Sequence, residues 1–299
     1  MSALIETMMK TIEKAGCIIL LSLLVGIAFG RPVQTAHPSY SWLPSGPAST
    51  TETLMARIAP PAGFERKSVP ADSFAHWLRS LPLKPGRPTV QLYDGRPKAN
   101  QSAHVAVVDI DTGTHDLQQC ADAVIRLRAE YLYSRGDLAR IHFNFTSGDA
   151  ASFAKWSEGF RPLVQGNRVS WQKSASRDDS YRSFRTYLNI VFTYAGTASL
   201  EPELQKVPDA RDVRAGDVFI QPGYPGHAVL VVDVAEDSRT GRRVFLLAQS
   251  YMPAQDIHIL KNPSGGALGP WYDRDFGTVL KTPEWTFDAG HLRRFQDSR

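Results

Sequence analysis

Two nearly continuous apolar runs dominate the last third of the chain. They are AVLVVDVA, which directly follows His227, and VFLLA, which directly precedes Gln249. A polar stretch centred on Ser238 and Arg239 separates the runs, so the pattern predicts a β-hairpin. Pairing residues whose numbers sum to about 477 places His227 beside Gln249, and a bulge or a one-residue shift of the turn brings the two side chains into contact. Because both runs are apolar throughout, we expect strands that are buried on both faces.

Apolar residues recur at helical spacing through much of the first two thirds of the chain. This pattern predicts helices over 70–81, 115–136, 149–160 and 181–200, short strands over 103–111 and 139–145, and a mainly β region from residue 217 onward. Asp72 is the expected N-cap of the first helix, and Gly136 is the expected stop of the second. Helices that precede an antiparallel sheet are typical of an α+β domain rather than of a doubly wound parallel fold.

The N-terminal segment has a different pattern. Residues 1–30 end in a run of sixteen mostly apolar residues behind two lysines. Such a run is short for a membrane span of about 20 residues and long for a signal-peptide core, so it predicts a signal peptide or a signal anchor. Residues 31–63 are rich in Pro, Ser and Thr and are predicted to form a tether, and residues 64–299 are predicted to form a single domain. This organisation predicts an exported protein, periplasmic or extracellular, that contacts a membrane only through an uncleaved N-terminal segment.

Charge and cysteine content narrow the candidate chemistry. The chain has 34 basic and 30 acidic residues without a block of either sign, which predicts no nucleic-acid partner. It has two cysteines, and loss of residues 1–30 would leave only Cys120. An unpaired cysteine in an oxidising compartment suggests a reactive role. Cys120 also lies on the apolar stripe of its predicted helix, so a buried structural thiol is the alternative.

Cys120, His227 and Gln249 are the candidate catalytic residues of a nucleophilic mechanism. The N-terminus of a helix and a neighbouring imidazole both favour a thiolate. A glutamine carbonyl can accept the imidazole N–H and so fix the orientation of the ring. The backbone N–H of Cys120, together with the side chain of Gln118 or Gln119, could stabilise an oxyanion.

Aromatic residues in two loops are candidates for the walls of a cleft. Tyr224 precedes the histidine strand, and Trp271 and Tyr272 lie in a loop rich in Pro and Gly that is expected to be exposed. No cofactor is predicted. The neighbouring pairs His115–Asp116 and Asp256–His258 lack the spacing of a zinc motif, so no metal site is predicted either.

The stretch RAGDVFIQPGYPGHAVLVVDV resembles the second half of the NlpC-type and CHAP cysteine peptidases and amidases. The likeness rests on a Gly-Asp pair that leads one strand, on Gly226 and His227 that lead the next, and on a cysteine at the start of an earlier helix. It implies a papain-like α+β core and cleavage of amide bonds, commonly in bacterial cell-wall peptides. The long interval between Cys120 and His227 then implies a helical insertion near residues 145–205.

A second resemblance covers more of the chain. The stretches QQCADAVIRLRAEYLY, IHFNFTSGD, GHAVLVVDVA and LLAQSYMPAQDIHILKNP are similar to a bacterial domain-of-unknown-function family, number 4846, from about Phe64 onward. This resemblance covers most of the chain but implies no activity. The resemblances together predict an exported cysteine amidase or peptidase that acts on cell-envelope peptide or peptidoglycan. The alternatives are a catalytically inactive envelope-binding or scaffolding domain, and an acyl or lipid transferase that uses the same three residues.

Overall fold

The computed structural model describes residues 38–43 and 52–296. The predicted signal segment, residues 1–30, lies outside the described residues, as does part of the predicted tether. Within the remainder of that tether, Tyr40 and Leu54 are buried and belong to the hydrophobic core, and the Tyr40 ring centroid lies 5.1 Å from that of Trp77. No helix in the described part of the chain has the length and apolar character needed to cross a membrane.

An antiparallel sheet organises the domain. In chain order the strands are β1 (His104–Val107), β2 (His142–Asn144), β3 (Ala150–Ser152), β4 (Phe160–Gln165), β5 (Arg168–Lys173), β6 (Gln205–Lys206), β7 (Val218–Gln221), β8 (His227–Glu236), β9 (Arg243–Gln249), β10 (His258–Leu260), β11 (Tyr272–Asp273), β12 (Val279–Lys281), β13 (Thr286–Asp288) and β14 (Leu292–Arg294). Eight of them form one sheet in the order β1-β10-β9-β8-β7-β14-β6, with β11 paired to β9. Every neighbouring pair in this sheet is antiparallel. The predicted α+β class with an antiparallel sheet is therefore confirmed.

The helices are shorter than the sequence pattern predicts. They are α1 (Leu54–Arg57), α2 (Phe74–Arg79), α3 (Cys120–Ser134), α4 (Phe153–Ser157), α5 (Tyr181–Tyr194) and α6 (Thr197–Leu200). The N-cap of α2 is Ser73 rather than the predicted Asp72, because the Ser73 hydroxyl accepts the His76 N–H at 3.2 Å. The predicted stop of α3 is confirmed, since Gly136 has a φ of +71° in the left-handed region that favours glycine.

The segment between β2 and α6 is not the purely helical insertion that the resemblance implies. Its only helix near residues 149–160 is the five-residue α4, and the residues on either side of it form β3 and β4. Strands β4 and β5 form a hairpin whose turn contains Gly166, which has a φ of +59°. The helix predicted to run to residue 200 ends at Tyr194, and α6 starts separately after the extended Gly196.

Both faces of the central hairpin β8–β9 are buried, as the apolar runs predict. Ala228 and Leu230 belong to the core that includes α3, whereas Val229 and Val231 belong to a second core that includes Phe287 of β13. Full burial of a side chain of this size contributes about 1.5–3 kcal/mol. The start of β8 is therefore held firmly between the N-terminal part of the fold and the β12–β13 hairpin.

The Gly-Asp pair that leads β7 has a structural role in this fold. Gly216 has a φ of +96°, and a Cβ atom there would lie 3.0 Å from a ring carbon of Phe74. Asp217 is buried and accepts two hydrogen bonds from Arg294, at 2.6 Å from Nε and 2.8 Å from Nη2. This bidentate ion pair joins the start of β7 to β14.

Candidate functional site

Cys120 and His227 line the same cleft, which has a volume of about 730 Å³. The N-terminus of α3 forms one wall and the loop that precedes β8 forms another. Tyr251 and Trp285 also contribute to the lining. No lysine or arginine lines this cleft in the described part of the chain, so the cleft has no cationic side chain to attract an anionic group.

The Cys120 thiol is the first side chain of α3. Gln119 precedes the helix, and its backbone N–H donates to Oδ2 of Asp122 at 3.1 Å, which fixes the first turn. Burial, followed by the proximity of Asp122, raises the pKa of Cys120 to about 11, against the opposite effect of the backbone N–H groups of Ala228, Ala121 and Cys120 itself. At neutral pH the resting sulfur is consequently a thiol, not the thiolate that the position at a helix N-terminus favours.

The His227 ring is held by Gln249, as the hairpin pattern predicts. Nε2 of His227 lies 2.9 Å from Oε1 of Gln249, and both residues are buried. At this end of the hairpin the register differs by one from the predicted pairing, because Leu230 pairs with Ala248. On the turn side of a bulge after Val231 it differs by two, because Glu236 pairs with Arg243. Gln249 is thus a diagonal neighbour of His227 on one face of the sheet.

Aromatic rings surround His227. The ring centroids of Tyr251, Trp285 and Phe287 lie at 4.7, 5.2 and 5.8 Å from that of His227. Burial lowers the pKa of His227 to about 4 despite the hydrogen bond to Gln249, which opposes this effect. The imidazole is therefore neutral at neutral pH. No hydrogen bond joins the Cys120 sulfur to the His227 ring among the described residues.

The glutamines predicted to stabilise an oxyanion point elsewhere. Oε1 of Gln118 accepts from Nη1 of Arg126 at 2.9 Å, and the Gln118 side chain is buried away from the cleft. Gln119 lines the cleft, but its amide nitrogen donates to Oδ1 of Asp116 at 3.0 Å. The predicted donor that remains is the backbone N–H of Cys120. It lies at the first helical position, where an N–H group has no acceptor within the helix.

Of the aromatic residues predicted to line a cleft, Tyr224 does so and is 95% exposed. Trp271 and Tyr272 do not, and the prediction of an exposed loop there is wrong. Both rings are almost fully buried in the hydrophobic cores, and each donates to a backbone carbonyl, Trp271 to Ala59 and Tyr272 to Lys261, at 2.9 Å. Large rings with a polar tip are stable inside a protein when that tip has such a partner.

Two charged residues that the sequence analysis missed complete the surroundings of Gln249. Glu284, between β12 and β13, accepts a hydrogen bond from Nε2 of Gln249 at 2.8 Å, and it also pairs with Lys98. Nε2 of Gln249 lies 3.3 Å from Nε2 of His258 as well. Lys98, His258 and Glu284 come from three separate parts of the chain, so no local spacing in the sequence could have predicted that they meet.

A metal centre has no support in the described residues. Across 38–43 and 52–296, no three side chains of His, Cys, Asp or Glu are grouped so that they could hold a metal ion. His258 points its Nδ1 to the backbone carbonyl of Asp256 at 2.8 Å, which is a bond within the protein.

Gly226 sets the position of the histidine strand by close backbone approach. A Cβ atom there would lie 2.3 Å from the carbonyl oxygen of Gly223 and 2.6 Å from Oγ1 of Thr197. We expect Gly226→Ala to lower the free energy of unfolding by about 1–3 kcal/mol, as overpacking does, and urea denaturation measures this change. Gly290→Ala is the matched control, since nothing lies within 4 Å of its added methyl group. An equal, small effect of both substitutions would contradict the close-approach explanation.

Fold and site together define a mixed α+β domain in which a helix-borne cysteine and a glutamine-bound histidine converge on one cleft. The chain belongs to the family described as domain of unknown function 4846, whose model matches residues 54–294. Comparisons with curated proteins and with solved structures gave no match.

Proposed function

We propose that this protein is a cysteine amidase or peptidase with a papain-like arrangement of the NlpC and CHAP type. The supporting observation is that His227, whose Nε2 lies 2.9 Å from Oε1 of the buried Gln249, lines the same cleft as Cys120. In this proposal Cys120 is the nucleophile, His227 is the base, and Gln249 orients the imidazole.

The reaction begins from a neutral pair. Because the pKa of Cys120 is raised to about 11 and that of His227 is lowered to about 4, the sulfur and the ring are a thiol and an imidazole at neutral pH. As Sγ bonds to the amide carbonyl carbon, the thiol proton moves to Nδ1 of His227. The C–N bond then breaks, and the imidazolium proton passes to the departing amine.

Hydrolysis of the resulting thioester restores the enzyme. Water attacks the thioester carbonyl carbon and gives a proton to His227. The C–S bond breaks, the acid product leaves, and the proton returns to the sulfur of Cys120. The backbone N–H of Cys120 is the donor proposed for the negatively charged oxygen in both steps.

We propose cell-envelope peptides as the substrates and an exported location for the domain. This part of the proposal rests on the apolar run that ends at residue 30 and on the likeness of the strands led by Asp217 and His227 to cell-wall enzymes. An amide substrate of low negative charge fits a cleft without lysine or arginine in its described lining.

A second candidate is an envelope-binding domain without catalysis. It is favoured by the raised pKa of Cys120 and by the lack of a sulfur–imidazole hydrogen bond among the described residues. In that case the cleft would bind a peptide and leave it intact, and the thiol would be structural.

The proposal is tested by incubating the full chain with purified peptidoglycan and with its free stem peptides. Release of new amino groups and the masses of the fragments report cleavage and its position. Activity is expected to disappear in Cys120→Ala and to remain in Cys17→Ala, which removes the other cysteine of the chain.

Each outcome decides between the candidates. Cleavage that persists in Cys120→Ala would refute the cysteine mechanism. Binding of the peptides without any cleavage would support the second candidate. A product in which the acyl group is joined to an added amine or lipid, rather than to water, would identify a transferase.

A further inference from the structure

Gln249 is itself held by a buried charged pair. Nε2 of Gln249 donates to Oε2 of Glu284 at 2.8 Å, and Nζ of Lys98 contacts the same carboxylate oxygen. Asn100 donates to the other carboxylate oxygen at 3.3 Å. The Lys98 and Glu284 side chains are only 8% and 16% exposed, so this pair is a part of the interior and not a surface ion pair.

The hydrogen-bonding capacity of a carboxylate fixes the orientation of the Gln249 amide. An ionised carboxylate only accepts hydrogen bonds, so the amide NH₂ of Gln249 must face Glu284. The amide oxygen then faces His227, whose Nε2 must carry the proton for that bond to exist. His258 favours the same orientation, because its Nδ1–H donates to the Asp256 carbonyl and its Nε2 is left as an acceptor for Gln249.

We propose that Glu284 is a positioning residue that acts through Gln249 to select the tautomer of His227 in which Nδ1 is unprotonated. Nδ1 is the atom that receives the thiol proton, so this inference rests on the proposed function for its catalytic meaning. The selection of the tautomer is a property of the resting protein and holds whatever the cleft does.

Lys98 balances the charge of Glu284 next to the histidine. The groups that surround His227 are Gln249, the rings of Tyr251, Trp285 and Phe287, the Cys120 thiol across the cleft, and, behind Gln249, the charges of Glu284 and Lys98 and the neutral His258. Among the charged groups, Glu284 raises the pKa of His227 and Lys98 lowers it. With both present, the carboxylate can orient Gln249 without bringing His227 closer to protonation at neutral pH.

Nitrogen NMR of the full chain, labelled with ¹⁵N in histidine, tests this role directly. The two ring nitrogens have different shifts in each tautomer, and the His227 signals are assigned by their loss in His227→Asn. Glu284→Gln keeps an acceptor oxygen but removes the charge, whereas Glu284→Ala removes both. We expect the Nε2–H tautomer in the wild type and in Glu284→Gln, and a measurable Nδ1–H population in Glu284→Ala.

A pH titration of His227 measures the effect of the charges of Glu284 and Lys98, separately from the effect of Glu284 on the tautomer. The protonation midpoint of His227 is expected to move to lower pH in Glu284→Gln and to higher pH in Lys98→Met. If the protein cleaves amides, Glu284→Ala should lower kcat by about 10- to 100-fold, by analogy with residues that orient a metal-bound histidine, with KM unchanged and with rescue in Glu284→Gln.

An unchanged tautomer in a folded Glu284→Ala would overturn the proposal and leave the Glu284–Lys98 pair as a structural bridge. Should Glu284→Ala fail to fold, Gln249→Leu decides, because it removes the link between Glu284 and His227. An Nδ1–H population is expected in that variant, and an unchanged Nε2–H tautomer would overturn the proposal. A lack of amide cleavage would refute the proposed function but would not alter either NMR result, so the two failures can be told apart.

Discussion

Replacing His227 by alanine is expected to lower the rate of amide cleavage by about 10²- to 10⁴-fold, the usual contribution of a general acid–base group. Because the pKa of Cys120 is raised to about 11, the thiol stays protonated at neutral pH when the imidazole is absent. The residual reaction should depend on spontaneous ionisation of the thiol. Its rate should therefore rise about tenfold per pH unit until the pH reaches that pKa, a slope that the wild type should lack.

The pH dependence of kcat/KM in the wild type is a second test of the role of His227. Burial lowers the pKa of His227 to about 4, so the ring can accept a proton above that pH and loses this ability as the pH falls through it. The acid limb of kcat/KM should lie near pH 4 in the wild type and be absent in His227→Ala. The control is His142→Ala, whose side chain is 59% exposed and lies outside the cleft lining. An acid limb near the ordinary value of 6.5, or a loss of less than tenfold, would contradict the neutral-pair mechanism.

Replacing Arg126 by methionine is expected to lower the free energy of unfolding by about 3–5 kcal/mol. Arg126 is fully buried, and its Nε donates to Oε1 of Glu130, also fully buried, at 2.7 Å. Its two Nη atoms bind Gln118 at 2.9 Å and the Asp111 carboxylate at 3.0 Å. Loss of the guanidinium would leave the carboxylate of Glu130 in the interior without its cation.

Urea denaturation followed by tryptophan fluorescence measures this loss. The double substitution Arg126→Met with Glu130→Met should recover most of the stability, because buried ion pairs can be replaced by apolar side chains at little cost. Arg135→Met, at the end of the same helix, is the control. Arg135 pairs with Asp72 at 3.5 Å in an exposed position, so its loss should cost no more than about 1 kcal/mol. Equal effects of the two single substitutions would refute the explanation.

The sequence predicts those parts of the site that lie on long helices and strands, because the pattern that marks each of these elements is local. The helix that carries Cys120 has a clear apolar stripe, and the strands that carry His227 and Gln249 are marked by long apolar runs. The structure brings the histidine and the glutamine together. The turn lies one residue later than predicted, since Glu236 pairs with Arg243, and a bulge after Val231 brings the register back to within one residue of the prediction at Leu230 and Ala248. A bulge in a strand that is buried on both faces leaves no trace in the apolar pattern.

The rest of the site depends on contacts between distant segments. Lys98 and Glu284 meet through folding of the whole domain, and nothing in their own neighbourhoods marks them. Pro and Gly around Trp271 predict a surface loop, but the residue is 1% exposed because its ring packs into the core. The β4–β5 hairpin could have been predicted, since Gly166 and Asn167 separate two short segments of strand character.

The place of β14 in the sheet has a consequence for biosynthesis. Strand β14 lies between β7 and β6, although it comes last of the described strands along the chain. A nascent polypeptide that has not yet reached Leu292 therefore has an open edge on β7, and its Asp217 lacks the partner Arg294. The β7 edge cannot be covered until this late segment has been made, so the central sheet is completed only after nearly all of the described chain has been synthesised.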